Sequence, residues 1–258
     1  MGRRTWPPVV LLCGGLGLRQ RTDGDDLPKP LRPLPDGRAL LLHVLDYYRA
    51  FGVTEFVLCV GYGADGIEKT LLEEYAVRPE GVEAGAGWHR FTAGDACFTL
   101  VDSGPQAEKC VRLLEAQEHV GDRGFLLGYA DVLSDFDLGA LVALHEAAGG
   151  VVTVTTTRVR SRYGELTVGQ GALVTGFAEK PARPELISAG YFMCSPELFR
   201  FLDADQELEG HVLPRLVDRA AVHAVAHDGL WLPFDTYKDF IDAEALIARE
   251  GCPWLTPV

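Results

Sequence analysis

The chain has 258 residues, 47% of them hydrophobic and 24% charged, which is ordinary globular usage and excludes disordered, collagen-like and coiled-coil chains. At about 150 residues per domain, that length allows one or two domains with a sizeable core. The formal net charge of −13 argues against a nucleic-acid binder or a partner of anionic membranes, yet residues 1–40 carry a surplus of three positive charges and the remainder sixteen negative ones. A basic head on an acidic body suits a small anionic ligand. The six cysteines (Cys13, Cys59, Cys97, Cys110, Cys194, Cys252) form no C-x-x-C pair and read as reduced, buried thiols. Arg3-Arg4 ahead of an apolar run imitates a secretory signal, but Pro7-Pro8 and the glycines from Gly14 onward interrupt it. No apolar stretch approaches 18 residues, so a cytoplasmic protein without a membrane partner is expected.

In chain order, residues 9–13 are a continuous apolar run bounded by proline and glycine, which predicts a buried strand. A polar loop rich in Gly, Asp and Pro follows to about residue 37. Residues 39–51 show helical spacing and stop at Gly52. Residues 55–60 predict a second apolar strand, and 67–75 a helix. Then come a strand at 97–101, a helix at 106–118, a buried strand at 124–128 and a helix at 138–148. This alternation predicts βαβ units, a mostly parallel sheet and a doubly wound α/β architecture. After Gly149-Gly150 the pattern turns to strands: 151–157, a hairpin of 163–168 and 172–177, and 186–194. Helices at about 196–203 and 209–219, a strand at 221–227 and a helix at 236–248 complete the chain.

The chemistry concentrates after the first strand. In Cys13-Gly-Gly-Leu-Gly-Leu-Arg19, the glycines Gly14, Gly15 and Gly17 let backbone N–H groups crowd an anion, and Arg19 adds a guanidinium. The loop fits neither G-x-x-x-x-G-K-[ST] nor G-x-G-x-x-G, because position 20 is Gln20. Ten residues on, Lys29 is held between Pro28 and Pro30, which restrict its backbone and suit it to act as a point charge on a phosphoryl group. A surface lysine in a proline-rich loop is the plainer alternative.

These segments resemble the signature of the sugar-1-phosphate nucleotidyltransferases. Further matches follow in order: Val60-Gly-Tyr62, Thr99-Leu-Val-Asp-Ser-Gly104, Tyr129-Ala-Asp131, Tyr163-Gly164, Phe177-Ala-Glu-Lys-Pro181, Gly190-Tyr191, and Asp228-Gly-Leu-Trp231 with Phe234-Asp-Thr236. The compact length and the closing block look most like the glucose-1-phosphate cytidylyltransferases. The resemblance implies a Rossmann-like, doubly wound mixed sheet (the nucleotide-diphospho-sugar transferase fold) with a small β-rich substrate lobe. It also implies one domain over 1–258, about 1–150 binding nucleotide and about 151–258 binding sugar phosphate, in a family that commonly forms homo-oligomers.

The implied reaction is attack of a sugar 1-phosphate, or a sugar-like cyclitol 1-phosphate, on the α-phosphorus of a nucleoside triphosphate, with CTP favoured. The substrates would be the partners, and magnesium (Mg2+) the cofactor. Carried over residue by residue, Cys13, Gly14, Gly15, Gly17, Arg19 and Lys29 hold the nucleotide, Arg19 and Lys29 being catalytic, and Arg112 matches an arginine that reaches the nucleotide phosphates. Glu179, Lys180, Tyr163, Gly164, Ser188 and Gly190 face the sugar phosphate, and Asp131 and Asp235 hold the metal. Without the resemblance, both aspartates read as helix N-caps.

Five positions depart from the family pattern: Leu18 for Thr, Leu27 for Lys, Ala130 for Gly, and Ser188-Ala189 for Asn-Gly. Loss of a sugar-facing amide at position 188 points to a sugar other than glucose, because sites built to hydrogen-bond a hydroxyl discriminate strongly. The base is open among CTP, ATP, GTP, UTP and dTTP. Two other classes remain: an inactive nucleotide-binding homologue, and a glycosyltransferase reading Asp135-Phe-Asp137 or Asp23/Asp25 as D-x-D.

Overall fold

The computed structural model describes residues 5–14, 27–161 and 163–255. The first apolar run forms β1 (Val9–Leu12), buried along its whole length. Next come α1 (Leu40–Ala50), β2 (Glu55–Val60) and α2 (Ala64–Glu74), then β3 (Glu83–Gly85), β4 (Trp88–Ala93) and β5 (Ala96–Asp102). Helix α3 (Lys109–Val120) leads to β6 (Phe125–Tyr129), β7 (Val132–Ser134) and α4 (Leu138–Ala148). The second half contributes β8 (Val152–Arg160), β9 (Glu165–Val168), β10 (Val174–Ala178), β11 (Ala182–Cys194), α5 (Leu213–Val217), β12 (Val222–Ala226), β13 (Trp231–Pro233) and α6 (Tyr237–Glu250).

Nine strands make one mixed sheet in the order β12-β8-β11-β6-β1-β2-β5-β4-β3. Its centre, β6-β1-β2-β5, is parallel, whereas β11 runs antiparallel to both β6 and β8. Alternation along β1 divides the core into two layers. Val9 and Leu11 face Leu41, Leu45 and Tyr48 of α1, while Val10 and Leu12 face Cys110, Leu113 and Ala116 of α3. That two-sided burial explains why the central strands read as unbroken apolar runs. From β1 the chain steps outward to β2 and β5, then returns to the other side of β1 as β6. Between β1 and β6 it thus leaves the topological switch point at which open α/β sheets bind ligands.

Several features differ from expectation, among them a 3-10 helix, Pro196–Phe201, in place of the helix expected at about 196–203, and the additional short strands β7 and β13. The edge ribbon β3–β4 was not anticipated, because its short, largely polar strands have no apolar run and little buried surface. The helix expected at 209–219 is a π-helical turn, Leu208–Val212, followed by the five-residue α5. Pro214 lacks the N–H that would bond to the Gly210 carbonyl, which releases the α-helical ladder there. Strand β11 starts earlier than expected: its first seven residues are largely exposed and its last six buried. The outer stretch pairs with Arg158 and Arg160 of β8, beside the separate β9–β10 hairpin. All six cysteines are unpaired, four of them buried. No helix among the described residues is long and apolar enough to cross a membrane.

Candidate active site

Beyond β1, the amides of Cys13 and Gly14 both donate to the Cys59 carbonyl at 3.0 Å, which fixes the turn across β2. A Cβ at position 14 would lie 2.1 Å from Arg112 Nη1, so any larger residue there must displace the guanidinium. Arg112 is 1% exposed and donates to the carbonyls of Val60, of Gly104 (3.1 Å) and of Ala107 (3.0 Å). Its guanidinium therefore buttresses the turn from behind, committed to backbone carbonyls, and does not line the cavity in front. Burial pushes the Cys13 thiol well above its ordinary range, so its side chain offers no thiolate chemistry.

Lys29 opens a 3-10 turn, Lys29–Leu31, anchored by buried Pro30 and Leu31. Its amine lies 2.9 Å from Asp131 Oδ2 and 3.4 Å from Asp235 Oδ1. The plainer reading of Lys29 as a solvated loop lysine fails, since its side chain is 18% exposed and bridges two acids remote in sequence. The aspartates meet because β13 pairs antiparallel with β7, Pro233 opposite Val132, and Phe234 N donates to the Asp131 carbonyl at 3.0 Å. Neither aspartate caps a helix. Asp137 caps α4 by accepting from Gly139 N at 2.7 Å, and Thr236 forms a capping box with Asp239 at α6.

A polar lock holds the turn ahead of β13. Asp135 Oδ1 accepts from Leu230 N at 2.8 Å, Ser134 Oγ donates to the Leu230 carbonyl at 2.7 Å, and His227 Nε2 lies 3.0 Å from both Asp135 Oδ1 and that carbonyl. This trio is not a nucleophilic triad, because serine and aspartate meet the same ring nitrogen, whereas a triad uses the two opposite ones. Asp135 and Asp137 are thus both occupied by structural contacts, which leaves that D-x-D spelling without a metal role. Asp23 and Asp25 lie outside the described residues.

In front of these elements lies a cavity of about 430 Å³, lined by Gly14, Lys109, Tyr129, Asp131, Ser188, Gly190, Trp231 and Asp235. Gly190 has φ +86, and a Cβ there would approach the Tyr129 ring to 2.9 Å, so a glycine is required twice over. Trp231 Nε1 donates to the Ala189 carbonyl at 2.9 Å, and Ser188 Oγ accepts from Gly190 N at 3.3 Å. The cavity stands at the carboxyl ends of β1 and β6, on the switch point. Asp131 and Asp235 offer hard oxygen donors, and no group of three or more metal-ligating side chains occurs among the described residues. Two carboxylates completed by water and phosphate oxygens match magnesium's preference for few protein ligands.

The expected site residues thus fall into three sets. Gly14, Lys29, Asp131, Asp235, Ser188 and Gly190 come together, with Cys13 and Arg112 supporting them. Tyr163, Gly164, Glu179 and Lys180 sit on the hairpin lobe and are not among the residues lining the cavity. There Glu179 and Lys180 pair at 3.4 Å, both over 60% exposed, and Gly164 lies under Phe177 and Glu179. Gly15, Gly17 and Arg19 lie outside the described residues. Sequence reading missed Lys109, Tyr129 and Trp231 as site residues. The last two stand inside quoted motifs, whereas Lys109 carries no signal beyond beginning a helix.

Residues 8–250 match the family described as nucleotidyl transferase. The chain belongs to that family. This nucleotidyl transferase is 31% identical over 243 residues to a Bacillus subtilis (strain 168) protein named "Probable glucose-1-phosphate cytidylyltransferase", covering 92% of this chain and 95% of the relative. It is also 31% identical over 256 residues to the glucose-1-phosphate cytidylyltransferase of Salmonella typhi, covering 96% and 98%. Among solved structures, the inositol-1-phosphate CTP transferase from T. maritima shares the fold of this nucleotidyl transferase, with a TM-score of 0.65, 16% identity and coverage of 96% and 99%.

Proposed function

We propose that this nucleotidyl transferase joins a nucleoside triphosphate, CTP by preference, to a sugar 1-phosphate or a cyclitol 1-phosphate, releasing pyrophosphate. The observation that carries the reading is Lys29 held between Asp131 and Asp235 at the mouth of the switch-point cavity. Two relatives of nearly equal length, both named as cytidylyltransferases, support the choice of CTP.

The incoming phosphate oxygen is already anionic, so the reaction needs no general base. The obstacle is bringing two polyanions together, and the remedy is positioning with charge neutralisation. The triphosphate falls to Gly14, Gly15, Gly17 and Arg19, the residues that carry the family signature after β1, while Arg112 acts through the Gly14 turn that it buttresses. Lys29 offsets charge on the α-phosphoryl group as bonds exchange there. Asp131 and Asp235 would hold magnesium, which supplies further neutralisation of phosphate charge. Lys180 draws the sugar phosphate toward the cavity, with Glu179 accepting from sugar hydroxyls and Ser188 and Gly190 shaping the floor. Serine at position 188 is too short to reach where an asparagine amide would, which favours a sugar or cyclitol lacking the corresponding hydroxyl contact.

The test is a panel of five triphosphates crossed with hexose and cyclitol 1-phosphates, reading pyrophosphate release in the presence of magnesium. Turnover with CTP and at least one sugar or cyclitol phosphate is expected. Nucleotide binding without turnover across the panel would overturn the enzymatic reading, and turnover confined to another base would overturn CTP.

A further inference from the structure

Of the charged side chains that line the cavity among the described residues, Asp131 and Asp235 are negative and Lys109 is positive. Lys29 is committed to the aspartates, so Lys109 is the cation on the wall itself. It is the first residue of α3, and its amine donates to Glu209 Oε1 while lying 4.7 Å from the centroid of the Tyr129 ring. Tyr129 Oη donates to the same carboxylate oxygen at 2.6 Å. Glu209 belongs to the π-helical turn Leu208–Val212, a geometry that recurs at functional sites.

The cluster is asymmetric. Tyr129 is packed against Gly190 and Phe192, which holds its hydroxyl in place on the Glu209 carboxylate. Burial alone would raise the Glu209 carboxyl, but the hydrogen bonds from Lys109 and Tyr129 outweigh it and hold the group low, hence ionised. Lys109 is the loose member: its side chain is 42% exposed on a flexible stem, and an ion pair open to solvent is weak. A phosphoryl group entering the cavity competes for that amine with more charge than one carboxylate has. Glu209 keeps its tyrosine partner when the lysine leaves.

We propose that Lys109 is a phosphate-binding residue of this site, exchanging Glu209 for a phosphoryl oxygen of the substrate, with Tyr129 retaining the carboxylate. This rests on reading the cavity as the nucleotidyl-transfer site. The phosphoryl group belongs either to the triphosphate or to the sugar phosphate, and the two sources are separable by experiment.

Inorganic pyrophosphate with magnesium, and separately glucose 1-phosphate, are titrated calorimetrically into the wild-type chain and the Lys109→Met, Lys109→Arg and Glu209→Gln variants. Lys109→Met weakens one of the two ligands by about tenfold or more, the loss typical of a charge-assisted hydrogen bond. Lys109→Arg restores most of that affinity, and Glu209→Gln tightens the same ligand. The matching steady-state experiment shows the change in KM for the corresponding substrate, with kcat altered little. Lys109→Gln replaces Lys109→Met if the latter folds poorly by circular dichroism. Unchanged binding of both ligands to Lys109→Met overturns the proposal, as does failure of the wild-type chain to bind either ligand. Equal weakening by Lys109→Met and Glu209→Gln also overturns it, since that marks a structural clamp. Should the wild-type chain release no pyrophosphate from any substrate pair while these titrations behave as expected, the functional reading fails and the Lys109 assignment stands.

Discussion

The expected site residues stand in two different settings, the buried parallel centre of the sheet and the exposed β9–β10 hairpin. At the centre, every residue of β1 is buried, and Asp131 and Asp235 are fixed by backbone pairing of β7 with β13. On the hairpin, Tyr163 is 77% exposed and Phe177 67%, and Glu179 and Lys180 pair with each other in the open. Lys180 also has φ +46, a left-handed conformation that a lysine adopts only under local constraint. Under the proposed function, the groups that would neutralise charge during bond exchange sit where burial fixes them, and those that would recognise the sugar sit on an exposed hairpin.

The largest expected effect comes from the buried centre. Lys29→Met is expected to lower kcat by about 10²–10³-fold, the usual result of removing a preorganised charge at a reacting centre. Its thermal stability should change little, which differential scanning fluorimetry checks. On the hairpin, Glu179→Gln and Lys180→Met should raise the sugar-phosphate KM by about 10–100-fold, with stability within about 0.5 kcal/mol of wild type. A larger fall in kcat than rise in KM for the hairpin variants would erase the division between the two regions.

Substituting the buttress and the lock sharpens the comparison. Gly14→Ala drives a methyl group into the Arg112 guanidinium and should destabilise the chain by about 1–3 kcal/mol in urea unfolding. His227→Ala removes the contacts to Asp135 and the Leu230 carbonyl, and should cost about 1 kcal/mol while loosening Asp235. The smallest effect concerns pH. His145 lies between Thr153 Oγ1 (2.9 Å) and Ser195 Oγ (3.0 Å), and burial lowers its pKa from the ordinary 6.5. The unfolded chain therefore takes up that proton first as pH falls. This part of the stability is complete above about pH 6.5 and declines below it, and His145→Gln should flatten Tm between pH 8 and 5.

Much of this was legible in the sequence wherever burial imposes a pattern. The apolar runs of β1, β2 and β6 located the centre of the sheet, and helix α4 was bounded correctly at residues 138–148. Lys29, Asp131 and Asp235 could be proposed from their motifs, but their convergence depends on the three-residue pairing of β7 with β13, too short to leave a periodic signal. The ribbon β3–β4 escaped for the same reason. Arg112 illustrates a different limit. Its position in a motif says nothing of direction, and only packing against Gly14 shows the guanidinium facing the back of the turn. Lys109 resembles any lysine beginning a helix, and its partner Glu209 stands a hundred residues away.

The proposed seat of phosphoryl transfer is the Lys29–Asp131–Asp235 cluster. The deciding measurement is kcat for magnesium-dependent pyrophosphate release by Asp131→Asn at saturating concentrations of both substrates. A fall of about 100-fold or more, with the sugar-phosphate KM within a few-fold of wild type, is the predicted result. Turnover within twofold of wild type would contradict it.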